Sequence, residues 1–352
     1  MPPSPPGVVL HPFRGVHPGP LIYPTTARPA LYVQEQRRAG RLIQRGVIGA
    51  LQLTASAGAV LPHEGVVPAR VDFQRRLVGA MHGHGEPLLL TVRGGSGTED
   101  VLDAVTSGPP QWTAAGPRDI AHTYWVIAET AQQQVVQREL RQRRALVADG
   151  HHRFAAAFRI REEFGGSPGP WDLLPALVVD SGRYPLRLAA IHRGIDGLDP
   201  VVAARRAAAV ARVTPLGPGL RVPRRGEILL LGAGRGWVIS EPRLDAVRRA
   251  LAGRPPAWQR LDAAVLDELF IRDIWGVPDA DASVRHVHED DLGSPDELRT
   301  QACPAGGSLA LLAPPAEEEV RILAESGVLM PRKSTSFQPK PLAWQLFHSF
   351  SD

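Results

Sequence analysis

Apolar residues recur along this chain at two spacings, every second residue and every three to four, and the two mark an alternation of strands and helices. In "ALYVQEQRRAGRLIQRGVIGALQL" short apolar runs flank a polar, glycine-containing turn, which predicts a β-hairpin from Leu31 to Leu53. "VDFQRRLVGAMHGHG" repeats apolar positions at helical spacing, "PLLLTVRGG" reads as a buried strand, and "TEDVLDAVTSG" as a short helix with an acidic first turn. A strand, "TYWVIAE", and a helix, "TAQQQVVQRELRQR", follow. The clearest stretch is "RALVADGHHRFAAAFRIREEFGG". It passes from a short apolar run through Asp-Gly into a helix with Phe154, Ala157, Phe158 and Ile160 on one side, and closes on Gly-Gly, where a cap is expected. With "LLPALVVDS" as the next buried strand, strand, turn, helix and strand make a compact α/β unit.

After "AAIHRGIDGL" the character changes. An Ala/Arg-rich helix at about 200–213 and a hairpin "GEILLLGAGRGWVIS" come first, then a helix "LDAAVLDELFIRDIWG". Strands "SVRHVHE" and "SLALLAP" and a helix "AEEEVRILAESG" complete the pattern. The fold class expected is α/β (α+β). A Pro-rich extended lead-in is expected over 1–30, a core over 31–196, and a C-terminal α/β subdomain over 197–352 that ends in the loop "KSTSFQPK".

Composition narrows the function classes. A chain of 352 residues suggests two domains, and 43% hydrophobic with 22% charged residues is the composition of a soluble globular protein. The net charge of +4, with no basic stretch interleaved with aromatics, does not imply a nucleic-acid partner. A single Cys303 excludes an internal disulfide and a cysteine-based zinc site, which agrees with a reducing compartment. "MPPSPPGVVLHPFRG" has prolines where a signal peptide needs a basic patch and an apolar run, and no segment has the length to span a bilayer, so a cytoplasmic location is expected.

Charge type is more telling than charge total. Against 38 arginines the chain has two lysines, Lys333 and Lys340, both within "MPRKSTSFQPK". Lysine is a compact point charge and arginine a rigid planar fork, so the pair suggests contacts to phosphate or carboxylate. Two lysines falling together in a loose tail is the competing reading. The prolines and hydroxyls around them predict an ordered loop or edge strand presenting Lys333, Ser334, Thr335 and Lys340, without the glycines of a Walker-type phosphate loop.

The strongest constellation is Asp149-Gly150-His151-His152-Arg153. At a helix start, free amides and the helix dipole favour an anion, so Gly150, His151 and Arg153 are candidate phosphate-binding residues, with Asp149 or His152 to handle a proton. A plain capped helix with exposed histidines is the competing reading. The two rings diverge by about 100° at a helix start, which argues against a metal shared by this pair. His63-Glu64, in a loop, is a second polar pair that solvated surface would equally explain, and His192-Arg193 has similar standing. "HVHEDD", 286–291, reads better as a strand end grading into an acidic loop than as a metal site.

Taken together, "HPFRG", "LPHEG", "ADGHHRFAAA", "AAIHRGIDGL" and "MPRKSTSFQPK" resemble, in order, the hallmark segments of the DUF1015 family, and the resemblance covers nearly the whole chain. It implies a ParB/sulfiredoxin-like core in which Gly150 to Arg153 match the Gly-x-x-Arg element that opens a helix and contacts phosphate. Where sulfiredoxin has a cysteine in that element this chain has His151 and His152, which excludes its sulfur chemistry. Free-serine kinases of the same fold are similar to Asp149 through Arg153, which makes phosphoryl transfer to a small hydroxyl-bearing metabolite the leading expectation. The alternative is a non-catalytic nucleotide- or phosphometabolite-binding regulatory protein.

On the kinase expectation Arg153 and the helix amides hold phosphate with Lys333, Ser334, Thr335 and Lys340. Asp149, His152 or Glu64 serve the acceptor hydroxyl, His63 and His192 line the site, and Mg²⁺ arrives with ATP or ADP. No metal is assigned to protein ligands. The family's Pro-Pro-Tyr-Asp segment does not occur here, since "VHPGPLIYPTTARPALYV" runs almost directly into the hairpin.

Overall fold

A computed structural model describes residues 7–18, 22–217, 219–232, 234–277, 283–289 and 307–351. Cys303, Asp290 and Asp291 lie outside the described residues. The chain divides into two compact units, one of Met1–Arg187 with Phe337–Asp352 and one of Leu188–Ser336.

In chain order the first unit contains β1 (Leu10–His11), β2 (Val16–Pro18), β3 (Ile22–Pro24), β4 (Leu31–Arg38), β5 (Arg41–Gln52) and β6 (Val60–Leu61). Then come α1 (Pro68–Met81), β7 (Gly83–His84), β8 (Leu88–Val92), α2 (Ser96–Thr106), β9 (Trp112–Ala115), β10 (Ile120–Ile127) and α3 (Thr130–Leu140). β11 (Ala145–Asp149), α4 (His151–Glu163) and β12 (Leu173–Asp180) complete it. The predicted hairpin, helices and strands of this half all form. The described residues build a nine-stranded mixed sheet in the order β6-β11-β8-β12-β5-β4-β10-β9, with β1 added along β5. β11 runs parallel to β6 and β12 parallel to β8, while the other pairs are antiparallel.

The two faces of this sheet differ in chemistry. Successive side chains of a strand point to opposite faces. On β4, Leu31 and Val33 join Val47 and Leu51 of β5 and Trp125 and Ile127 of β10 in one apolar core, which Phe154 and Phe158 of α4 also pack against. The alternate residues, Tyr32, Gln34, Gln36, Gln44, His122 and Tyr124, are buried and polar. Buried polar groups need partners. Part of that need is met by main chain from both ends of the sequence. Tyr32 donates its hydroxyl to the Phe13 carbonyl at 3.2 Å, and Val16 and Phe347 exchange backbone bonds of 2.9 and 2.8 Å.

The second unit holds a six-stranded antiparallel sheet in the spatial order Arg212–Pro215, Arg235–Ser240, Glu227–Gly232, Ser308–Leu312, Ile191–Ile195, Val284–His288. The Ala/Arg helix is shorter than predicted, Pro200–Ala207, with Asp199 capping it through the amides of Val201 and Val202. This unit begins at Leu188, ahead of the expected boundary at 197, because the strand Ile191–Ile195 sits inside its sheet. The last sixteen residues, which the sequence places in the C-terminal subdomain, belong to the first unit, held by pairings with residues hundreds of positions earlier.

Candidate functional site

The site is built where β11 turns into α4. Ala145 and Val147 sit in the apolar core and anchor β11, and a register irregularity between Val147 and Asp149 interrupts its pairing with β8 before Asp149 pairs with Leu89. Gly150 then takes φ 103°, a left-handed conformation open to glycine at little cost. A Cβ at this position would lie 2.6 Å from Leu88 Cδ2 and 3.2 Å from the Arg153 guanidinium. Gly150→Ala is therefore expected to destabilise the first unit by ~2–3 kcal/mol, read as a shift of the urea midpoint, whereas Gly165→Ala in the loop after α4 should cost less, since nothing lies within 4 Å there.

The intrahelical ladder of α4 starts with the Phe154 amide to the Gly150 carbonyl at 2.8 Å, which leaves the amides of His151, His152 and Arg153 at the open end. Beside them lies an array of alternating charges. Asp149 Oδ2 accepts from Arg153 Nη2 at 2.6 Å, and Asp149 Oδ1 pairs with Lys340 Nζ at 2.6 Å. Arg153 also donates through Nη1 to the Pro87 carbonyl at 2.6 Å and lies 3.6 Å from the Glu86 carboxylate. Two cations thus flank one carboxylate, at the positive end of a helix dipole.

The histidines behave differently from the exposed pair that a simple cap would give. His63 is 0% exposed, so it is not solvated surface. Its ring stands edge-on to His151, 4.4 Å between centroids, and to Phe337 at 5.6 Å. The His63 amide donates to His151 Nε2 at 3.3 Å, and the Val67 amide to His152 Nε2 at 3.0 Å. Both bonds consume the Nε2 lone pair and place the proton of each neutral ring on Nδ1. His152, a candidate base from the sequence, has its Nε2 occupied in this geometry as an acceptor from the Val67 amide. Burial lowers His63 to about 4, partly offset by a backbone hydrogen bond to Val147 and the charge of Asp149. Burial, then the neighbouring His63, His152, Arg153 and Lys340, hold His151 well below the ordinary histidine value. His63 and His151 therefore add hydrogen-bonding groups without adding charge at neutral pH.

Of the residues singled out in the sequence, Asp149, Gly150, His151, His152, Arg153, His63, Glu64 and Lys340 belong to the first unit. His192, Lys333, Ser334 and Thr335 belong to the second. There His192 Nδ1 accepts from the Leu312 amide at 3.2 Å and burial lowers the ring to about 4. The Lys333 carbonyl accepts from Arg193 at 3.2 Å, and buried Ser334 donates to the Pro331 carbonyl at 2.6 Å. Arg193, fully buried, forms a two-pronged pair with Asp267 at 2.9 Å on each arm. Sequence reasoning passed over Glu86 and the Pro87 carbonyl, both partners of Arg153. The only signal was their position just before an apolar strand.

Both oxygens of Asp149 are engaged by Lys340 and Arg153, so this carboxylate offers no ready ligand to Mg²⁺. Among the described residues no group of three or more His, Cys, Asp or Glu side chains is placed to hold a metal ion, and no helix is long and apolar enough to cross a membrane.

Comparison with known proteins adds the following. A family model described as "Protein of unknown function (DUF1015)" matches residues 22–264. Solved structures to which this chain is similar include a free serine kinase in complex with ADP, at 15% identity and TM-score 0.43 over 85% of this chain and 91% of that one. A conserved hypothetical protein from Pyrococcus furiosus matches at 15% identity and TM-score 0.44 over 87% and 96%. SbnI from Staphylococcus aureus matches at 12% identity and TM-score 0.44 over 85% and 86%. Likeness at this level carries no activity across. A comparison with curated proteins finds no match.

Proposed function

Because the chain belongs to the DUF1015 family, whose description assigns no activity, we propose one from the site itself: a phosphate- and nucleotide-binding phosphoryl-transfer enzyme that acts on a small hydroxyl-bearing metabolite. The observation that carries this reading is the Lys340–Asp149–Arg153 array at the open end of α4. A planar fork, a point charge and three first-turn amides converge on one place, and their common complement is a tetrahedral oxyanion. The reading rests on first-unit residues alone.

In this mechanism a terminal phosphate takes the place of the Asp149 carboxylate on Arg153 and Lys340. The acceptor oxygen attacks the terminal phosphorus, the bond from that phosphorus to the bridging oxygen breaks, and the leaving phosphate departs with the negative charge. The acceptor's proton passes to Asp149, released by the exchange, or to Glu64. Arg153, Lys340 and the amides of His151 and His152 stabilise charge on the equatorial oxygens. His151 and His152 contribute neutral Nδ1–H donors. Mg²⁺ would enter on the phosphates of the nucleotide, and no step is routed through it.

One observation favours a second reading. A carboxylate whose two oxygens are held at 2.6 Å by a lysine and an arginine is already engaged as an acceptor, which suits a protein that binds a phosphometabolite or nucleotide without turnover. A thermal-shift screen separates the cases, using ATP, ADP, pyrophosphate and phosphoserine with and without Mg²⁺. On either reading at least one of these raises the melting temperature, because a ligand of the native state must stabilise it. Turnover with small hydroxyl acceptors, lost in Asp149→Asn while binding persists, identifies the enzyme. Binding without turnover identifies the regulatory protein, and no shift with any ligand removes both.

A further inference from the structure

Lys340 reaches Asp149 from a segment that follows the short strand Ser336–Gln338. The segment is pinned before it by Phe337 against the His63 ring and after it by the Trp344 amide, which donates to the Gly85 carbonyl at 2.8 Å. Between those pins, two glutamines donate hydrogen bonds to the segment's backbone. Gln36 and Gln44 are directly opposite each other on β4 and β5 and are 0% and 1% exposed. Gln36 Nε2 donates to Gln44 Oε1 at 2.8 Å and to the Lys340 carbonyl at 3.2 Å, and Gln44 Nε2 donates to the Pro339 carbonyl at 3.1 Å.

This is an unusual use of a strand pair in the interior of a sheet. Buried amides are costly unless bonded, and apolar residues would fill the same volume. Here the donors are aimed at two successive main-chain carbonyls about 300 residues away, one of them the carbonyl of the residue whose ammonium meets Asp149. With its own carbonyl fixed to the sheet, Lys340 has only its side-chain torsions left to search, and Asp149 Oδ1 lies at 2.6 Å. We propose that Gln36 and Gln44 are positioning residues for Lys340: they clamp the Pro339–Lys340 backbone and so hold the ammonium in the anion site. What Lys340 is for rests on the phosphate reading; that it is held by this clamp does not.

The scarcity of lysine makes the test direct, since acetylation with an N-hydroxysuccinimide ester has two side-chain amines to report on, Lys340 and Lys333. Peptide mass spectrometry of the full-length protein gives both rates, and Lys333 serves as the internal reference. Asp149→Asn sets the rate of a released Lys340. In Gln36→Met and in Gln44→Met, Lys340 should acetylate about threefold to fivefold faster than in the wild type, the scale of an exposed ion pair, with Lys333 unchanged. If one variant fails to fold, the other carries the same comparison.

A general loosening of the fold would raise both lysines together and overturn the assignment. So would wild-type rates at Lys340 in the amide variants while Asp149→Asn raises it. A second readout is pyrophosphate affinity in a double-mutant cycle. Gln36→Met should weaken binding in the wild-type background and have no further effect once Lys340→Met is present; equal losses in both backgrounds overturn the clamp. Ligand-free acetylation tests the clamp alone and pyrophosphate binding by the wild type tests the phosphate reading, so failure of one is distinguishable from failure of the other.

Discussion

Arg153→Ala should remove ligand-induced stabilisation almost completely and weaken phosphate or nucleotide binding by about a hundredfold or more, the scale of two charge-assisted hydrogen bonds. The guanidinium is mostly buried and holds three things at once: Asp149, the Pro87 carbonyl and the Glu86 carboxylate. Its removal also takes from Asp149 an ion-pair partner at 2.6 Å, so the ligand-free protein should lose ~2 kcal/mol as well. The two effects separate by experiment. Urea unfolding without ligand reads the stability loss, and titration calorimetry with ADP or pyrophosphate reads the binding loss. Arg153→Lys should recover part of the charge but not the two-pronged geometry, and so remain well below wild type. An Arg153→Ala protein that binds as tightly as wild type would dismiss the α4 site.

Acid should unfold the first unit well above the range where carboxylates titrate. Burial lowers His63 and His122 to about 4 and His84 to about 3, from an ordinary value of 6.5. Each ring is neutral when folded and takes up a proton on unfolding once the pH is below 6.5. The unfolded state then binds more protons, so stability is fully present above 6.5 and falls as the pH drops toward 4. One such histidine costs ~1.4 kcal/mol per pH unit and, with His151 also held well below its ordinary value by burial, four cost ~5–6 kcal/mol per pH unit, against a total stability of ~5–15 kcal/mol for a domain.

The expected result is a steep loss of urea-midpoint stability between about pH 6.5 and pH 5, with unfolding near pH 5. His122→Gln keeps a partner for Gln34, which hydrogen-bonds His122 Nδ1 at 2.9 Å, and should lower the slope by about a quarter. A flat profile down to pH 5 would mean that the rings are protonated or hydrated in the folded state.

Most of the secondary structure could be read from the sequence because its causes are local. Strand period, helix period and glycine punctuation each act over a few residues, and the elements of the first unit form where those signals stand. The turn Asp149–Arg153 was legible for the same reason: a strand end, a left-handed glycine and a helix start are written in consecutive residues. The lysine count also led to the expectation that Lys340 shares one anion site with this turn.

What only the tertiary structure decided are pairings between residues far apart in the chain. The return of Phe337–Asp352 to the first unit, the bond between Lys340 and Asp149, and the clamp of Gln36 and Gln44 each join segments separated by more than 150 residues. No local periodicity encodes them, because the free energy that selects them is the need of buried polar groups for partners, which exists only once the sheet has formed and its polar face must be covered. The same reason explains His63 and His152. In sequence they are polar residues of a loop and a helix start, and the fold made one a buried neutral ring and the other an acceptor by placing an apolar wall or a backbone amide against each.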